Sequence, residues 1–378
     1  MQVTVAKEEL ERVVGRCQGV ADKKGAMPVL GSVLLEVDGP DRLRVAATDL
    51  LLAVTGKVQG QVERGGSVAL GARELLERVK NMPAGQIAIS STDGATTTLR
   101  AVSAARRYTL GGMPGEEFPT LPQPDERATW LSLPPDVLER LLARTHFSIS
   151  PDETRTHLNS ALFEWSGDRL RVVTTDGHRL SKAEAKVEGA GAASTMLIPL
   201  KGVTELRRLC DEARSRGEGE AIRVCQSGPC AFFQVAGFQF SVKLVDATFP
   251  PYQQVIPDVS GQSVRAPRNL LRDALKAMSV AANDRTGGVK LTLVPGKMRF
   301  ESESPEAGEG FDEIAIEYDG PELVVGFNAR YFLDVLSAME QEDEVVLGIT
   351  GELDPAVIRP GTESPTSSYL AVVMPMRI

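Results

Sequence analysis

Apolar residues recur three and four apart in three stretches that open alike: Leu10, Val13 and Val14 in Lys7–Cys17; Leu138, Leu141 and Leu142 in Pro135–Phe147; Leu270, Leu271, Ala274, Leu275 and Met278 in Pro267–Val280. That period predicts an amphipathic helix with one buried stripe in each stretch. Leu10, Leu138 and Leu271 hold the same place, so the helices restart after 128 and then 133 residues (138 − 10 and 271 − 138). A repeat of that length is one ordinary domain, and it predicts three similar domains.

Between these helices the pattern shifts to alternation, as in Val33–Val37, Leu43–Ala47, Leu170–Thr174 and Val289–Val294, which predicts half-buried strands. A second helical stretch follows in each third, at Ala72–Met82, Lys201–Ala213 and Ala329–Met339, with further strands after it. The fold class expected is therefore α+β, with each domain a duplicated helix-plus-strands half-unit. Pro-rich segments at Phe118–Pro124 and Phe249–Pro257 mark the junctions, giving domains 1–126, 127–257 and 258–378. Glu188–Ala192 and Ser304–Gly310 are expected as exposed loop tips.

Charge and composition narrow the function. Over 378 residues, 42% hydrophobic and 25% charged is ordinary for a globular chain, with a formal charge of −9. That total argues against a protein coated in nucleic acid, because phosphate binding is driven by Lys and Arg. The six helical stretches nevertheless sum to +3, against −12 for everything else, so the helices are the less acidic surface. No apolar run is long enough to cross a bilayer, and Met1–Val5 begins directly as a strand, so no signal peptide, no membrane partner and a cytoplasmic location are expected. Cys17, Cys210, Cys225 and Cys230 lack CxxC spacing and are expected as reduced thiols, with no metal and no cofactor.

No phosphate loop, nucleotide-binding glycine fingerprint or histidine pair at helical spacing is present. The one cluster with an enzyme-like look is Thr175-Asp176-Gly177-His178-Arg179-Leu180. An acid/base dyad of Asp176 and His178 is one reading; a tight turn is the other. Thr48-Asp49-Leu50 at the equivalent place in the first third favours a fold role for the shared Thr-Asp, leaving Gly177 to Leu180 as what sets the middle copy apart. The apolar C-terminus is the other unusual feature: Leu370–Val373 predicts a buried strand, while Met374-Pro375-Met376 suits a surface that accepts several partners.

The threefold repeat, the Thr175–Leu180 run, Phe249-Pro250-Pro251-Tyr252 and the ending Val372-Val373-Met374-Pro375-Met376-Arg377 together resemble the bacterial DNA polymerase sliding clamps, the beta subunits of DNA polymerase III. The resemblance spans the chain. It implies the DNA clamp fold, a homodimer closed head to tail into a ring of six domains, and a non-enzymatic function: encircling duplex DNA and tethering a polymerase to confer processivity. It also implies partners that bind through short linear motifs: the polymerase III alpha subunit, the clamp loader, repair polymerases and mismatch-repair proteins.

Residue by residue, the resemblance implies a peptide-binding site of Leu158, Thr175, Gly177, His178, Arg179, Leu180, Pro250, Val255, Val372, Met374, Pro375 and Met376, with His178 and Arg179 as its polar rim. DNA-facing positions are Lys24, Arg73, Lys80 and Lys201, while the acidic loop Ser150-Pro151-Asp152-Glu153 departs from the family pattern. The dimer seam joins Arg106, Arg107, Tyr108 and Leu110, a basic edge, to Val280, Ala281 and the acidic Glu301–Glu313 stretch. Two readings from other classes stand beside it: a peptide-binding scaffold that never meets DNA, and a hydrolase or transferase using Asp176 and His178.

Overall fold

The computed structural model describes residues 1–22, 27–92, 95–187, 193–215, 217, 220–258, 263–283, 287–305 and 308–377. Lys24 and the stretch Glu188–Ala192 lie outside the described residues. Six α-helices are found among them: α1 (Lys7–Val20), α2 (Ala72–Lys80), α3 (Pro135–Ala143), α4 (Leu200–Ser215), α5 (Arg268–Ala281) and α6 (Ala329–Ser337). The helical period accounts for them. In α1 the stripe Leu10, Val13, Val14 and Cys17 is wholly buried, and in α5 Leu271, Ala274, Leu275 and Met278 are buried. At the start of α6 the Asn328 side chain accepts the Arg330 N–H at 3.0 Å, satisfying a backbone donor that the first turn leaves unpaired.

The chain forms two compact units, Met1–Pro135 with Glu205–Leu244, and Asp136–Thr204 with Val245–Ile378. In the first, twelve antiparallel strands are joined, and helices α1 and α2 pack side by side. Gln2–Ala6 pairs on one side with Gln86–Ser91 and on the other with the far end of Leu52–Arg64. The near end of Leu52–Arg64 pairs with Phe238–Lys243, so one long strand carries the sheet from the first sequence repeat into the second.

The second unit holds two sheets. One has eight strands, in the order Ser194–Pro199, Ser160–Ser166, Arg169–Thr175, Arg179–Lys186, Ser367–Val373, Ala356–Pro360, Glu344–Gly348 and Ser263–Pro267. Its middle is the pairing of Arg179–Lys186 with Ser367–Val373, again joining strands of two repeats. The other has four strands, with Gly308–Ala315 at one edge, and α5 packs on it beside α6. Of the stretch expected as a loop tip at Ser304–Gly310, Ser304 ends one strand and Gly308–Gly310 open the next, with Ser304 opposite Gly308, and residues 306–307 lie outside the described residues. No helix among the described residues is long and apolar enough to cross a membrane.

Candidate functional site

The turn Thr175–Arg179 joins two central strands of the eight-stranded sheet, and its wiring explains its sequence. The Thr175 hydroxyl donates to Arg179 O (2.7 Å) and accepts the Gly177 N–H (3.2 Å). Asp176 Oδ1 accepts the N–H groups of His178 and Arg179 at 2.9 and 3.0 Å. The first repeat is wired identically: the Thr48 hydroxyl donates to Leu52 O and accepts from Leu50, and Asp49 Oδ1 accepts from Leu51 and Leu52. Both turns need a left-handed residue, met by Gly177 at φ 93° and by Leu50 at φ 74°. Thr-Asp is thus turn chemistry in both copies, and the Asp176 carboxylate is consumed by it.

Alternation along the strand then sends neighbours to opposite faces. Leu180 pairs with Val372 and joins a buried cluster with Leu162, Val173, Leu197, Val357, Phe249 and Tyr252. Arg179 is turned the other way. It was expected at a polar rim, but its side chain is only 11% exposed and its donors are spent within the fold. Nε donates to Asp176 (3.0 Å), Nη1 to Asp334 on α6 (2.6 Å) and Nη2 to Phe147 O (2.5 Å), while the guanidinium lies over the rings of Tyr331 and Phe147. Arg179 therefore ties the turn to α6. His178 stays exposed with its ring stacked on Tyr331, and its carbonyl accepts the Met374 N–H at 2.9 Å. Burial, with the Asp176 carboxylate adding to it, pushes the Tyr331 hydroxyl pKa up.

The remaining expected site residues gather around this hairpin. Leu158 is buried in a turn that Arg155 connects to it, donating to Ser150 Oγ (3.0 Å) and to Asp176 O (3.3 Å). Pro250 and Val255 belong to a loop held down by Phe249 and Tyr252, both buried in the cluster. Met376 is anchored by its N–H to Gly326 O at 2.8 Å. What stays open beside the buried floor is apolar: Met374 is 39% and Val255 47% exposed, with Pro250, Pro375, Met376 and Leu370 half-buried. Val357 and Tyr331 belong to the same constellation and carry no signal in the sequence beyond their apolar character, whereas Tyr252 closes the Phe249-Pro250-Pro251-Tyr252 run.

The first repeat lacks this floor. There Leu34 pairs with Ala46 and Ala69 in a cluster with Ala53, whereas in the second repeat Leu162 pairs with Val173 and Leu197, and Leu180 stands at the place of Ala53. Small side chains have become large ones at corresponding places on one scaffold.

Beside the apolar floor the same sheet face becomes ionic. Glu164, Arg171 and Glu184 lie directly opposite one another on three strands. Arg171 donates to Glu184 Oε2 through Nε and Nη2 (2.9 and 2.6 Å) and to Glu164 (3.2 Å), and Arg169 adds a bond to Glu184 (2.7 Å). Burial works to raise the Glu184 pKa, but the arginine bonds outweigh it and hold the carboxyl below its usual range. Tyr252 donates to Glu164 at 2.7 Å and accepts from Arg171 at 3.1 Å; burial, reinforced by Glu164, pushes its hydroxyl up to about 12.

The expected DNA-facing residues are dispersed. Arg73 and Lys80 are exposed on α2, with Arg73 bonded to Glu77 at 2.9 Å. Lys80 borders a groove with Arg12, Arg16, Arg208 and Glu212, in which Glu212 pairs with both Arg12 (3.0 Å) and Arg16 (2.6 Å). Lys201 is exposed on the first turn of α4. Asp152 of the acidic loop is held below the usual carboxylate range, first by Thr154 and then by Arg155.

Two open strand edges carry residues expected at the dimer seam. In the first unit, among the described residues, Arg107–Pro114 pairs along Arg107–Gly111 with Thr96–Ala101 alone. Arg106 and Arg107 are exposed there and Tyr108 is half-buried. In the second unit Gly308–Ala315 is an edge strand carrying Phe311, 64% exposed, and Val280, 79% exposed, lies on α5, which packs on the same sheet. Two of the expected seam residues have buried side chains. Leu110 is buried in its own sheet, and Ala281 is covered by Gly310, where a side chain would press on Ala281 and Met278 at 3.2 Å. Phe311 offers the apolar surface that those two do not. The expected acidity is also partly spent: Glu301 pairs with Lys290, and Glu313 with Lys297 and Arg299.

Among the described residues no group of three or more His, Cys, Asp or Glu side chains is arranged to hold a metal ion. Cys17 is buried, which pushes its thiol up to about 12, and Cys225 is likewise raised to about 11. A polar groove of about 670 Å³ in the first unit, lined by Asp38, Arg44, Lys57, Arg223 and others, contains no histidine or cysteine.

Family models for the DNA polymerase III beta subunit match the chain end to end: the N-terminal domain over residues 1–122, the central domain over 132–251 and the C-terminal domain over 253–377. The chain belongs to the DNA polymerase III beta subunit family. It is 32% identical over 382 residues to the beta sliding clamp of Pseudomonas putida and 31% identical over 380 residues to that of Proteus mirabilis, covering 100% of each. Among solved structures it is similar to the DNA polymerase III subunit beta of Pseudomonas aeruginosa (TM-score 0.91, 29% identity) and to a sliding clamp of the same organism bound to griselimycin (TM-score 0.91, 29% identity), with both chains covered in full each time. The fold is the three-domain DNA clamp fold, and the family is one of non-enzymatic sliding clamps.

Proposed function

We propose that two copies of this chain close head to tail into a ring around duplex DNA and hold partner proteins at the apolar site of the second unit. The function is that of the beta sliding clamp, conferring processivity on the polymerase. Encirclement explains how a chain of net charge −9 works on DNA: retention by topology needs no strong phosphate contacts, and strong contacts would slow sliding. Arg73, Lys80, Lys201 and Lys24 then act as screened, non-specific contacts. The seam joins the edge at Arg106, Arg107 and Tyr108 of one copy to the edge at Phe311 and Val280 of the other, a heterologous contact that closes after two copies.

One observation carries the docking site: a floor of large apolar side chains, Leu180, Val372 and Val357, bordered by exposed Met374 and Val255. The first repeat has Ala53 at the place of Leu180, and Ala46 and Ala69 at the places of Val173 and Leu197. Such a face suits an extended peptide with large apolar anchors, His178 supplying a polar edge. The polymerase III alpha subunit, clamp loader, repair polymerases and mismatch-repair proteins would compete for it, one site per chain, in the cytoplasm. The related Pseudomonas aeruginosa clamp binds griselimycin, and on this proposal griselimycin takes the apolar site in the present chain and serves as its probe. Met374→Ala combined with Met376→Ala should abolish griselimycin binding in calorimetry and leave the dimer intact in sedimentation. Undiminished binding refutes the site.

A further inference from the structure

We propose that the Tyr252 hydroxyl is a positioning group for the docking site, fixing the loop from Pro250 to Val255 as one of its walls. The inference rests on the docking-site reading above. Within this loop Pro251, Gln253, Gln254 and Val255 are exposed; Tyr252–Val255 forms a single 3-10 turn, and its backbone bonds are local, as in Tyr252 N–H to Pro250 O (2.7 Å) and Gln254 N–H to Pro251 O (3.1 Å). Short local bonds of that kind do not fix a loop against a sheet. Tyr252 does: it is 3% exposed, packs edge-on against Phe249, and its hydroxyl bonds to Glu164 (2.7 Å) and Arg171 (3.1 Å). Those two residues are themselves held by the cross-strand series Glu164–Arg171–Glu184, so the anchor is a charged and rigid part of the sheet.

Comparison of the repeats separates this anchor from ordinary packing. The first repeat retains the ion pair, Glu36 with Arg44 at 2.7 Å across the corresponding strands. Its loop runs Phe118-Pro119-Thr120-Leu121 where the second repeat has Phe249-Pro250-Pro251-Tyr252. Phe118 and Leu121 are buried like Phe249 and Tyr252, so burial alone is served by leucine. The hydroxyl appears only in the copy whose loop borders the apolar floor. Its role is to keep Pro250 and Val255 in the position that a ligand meets, so that binding does not first have to order the loop.

The test is calorimetric titration of griselimycin into the intact dimer, alongside hydrogen exchange of residues 250–257. Tyr252→Phe keeps the ring and removes one oxygen; the dissociation constant should rise about 5- to 10-fold, as expected when the competent loop state becomes a minor fraction. Exchange in the loop should accelerate while the dimer persists. Glu164→Ala should behave like Tyr252→Phe, and Glu164→Gln, which keeps an acceptor for the hydroxyl, should bind as the wild type does. Equal affinity of the wild type and Tyr252→Phe overturns the proposal and leaves the docking site standing. Failure of the wild type to bind removes the docking site itself. Should Tyr252→Phe fail to fold, the contrast between the two Glu164 variants decides, and equal binding by both is the contradicting result.

Discussion

At the scale of single residues, Arg179 shows how a motif can be legible while its direction is not. The Thr-Asp turn could be read from its recurrence at Thr48-Asp49, because its hydrogen bonds are local and span at most four residues. Arg179 could not be placed that way, since Asp334 lies 155 residues further along the chain. With the side chain 11% exposed, removing the guanidinium leaves Asp176 and Asp334 without their cation. Arg179→Ala should therefore cost about 3 kcal/mol, the lower end for breaking a buried pair. Over a unit of this size that corresponds to a fall of roughly 6–12 °C in the thermal midpoint. A midpoint within a degree of the wild type would mean that the guanidinium is a rim group after all.

At the scale of elements, all six helices were legible because each buries a stripe at the helical period. Strands fared less well where the alternation fails. Ser67–Gly71 and Ser194–Pro199 each bury three consecutive residues, Val68, Ala69, Leu70 and Met196, Leu197, Ile198, and a short continuous apolar run carries no period to read. The docking floor was half legible for a related reason. Leu180 and Val372 stand out, but Val357 joins them only through the pairing of Ala356–Pro360 with Ser367–Val373, which no local pattern encodes. The same limit applies to the strand edges: the sequence marks Arg106 and Arg107 as basic, yet only the sheet order leaves Phe311 on an open edge. Reversing both charges, Arg106→Glu with Arg107→Glu, should raise the dimer's dissociation constant roughly tenfold at low salt and less at high salt. An unchanged constant in sedimentation equilibrium would remove this seam.

At the scale of the molecule, the repeat is the organising fact. Strand pairing passes from repeat to repeat twice, at Leu52–Arg64 with Phe238–Lys243 and at Arg179–Lys186 with Ser367–Val373. One scaffold thus supplies two equivalent junctions, of which the second has gained an apolar floor and an anchored loop. The first and third repeats each leave an open edge, where a second copy can continue the series. On the proposed reading, closure of two copies at these edges is what gives an acidic protein a hold on DNA.

Encirclement is the central claim, and topology distinguishes it from affinity. The dimer is incubated with nicked circular plasmid, a clamp loader and ATP, the loaded plasmid is isolated, and half of it is cut once with a restriction enzyme. The account predicts that the protein stays on the circle and is lost from the linear DNA. Protein that remains bound after linearisation, or that never associates with the circle, contradicts it.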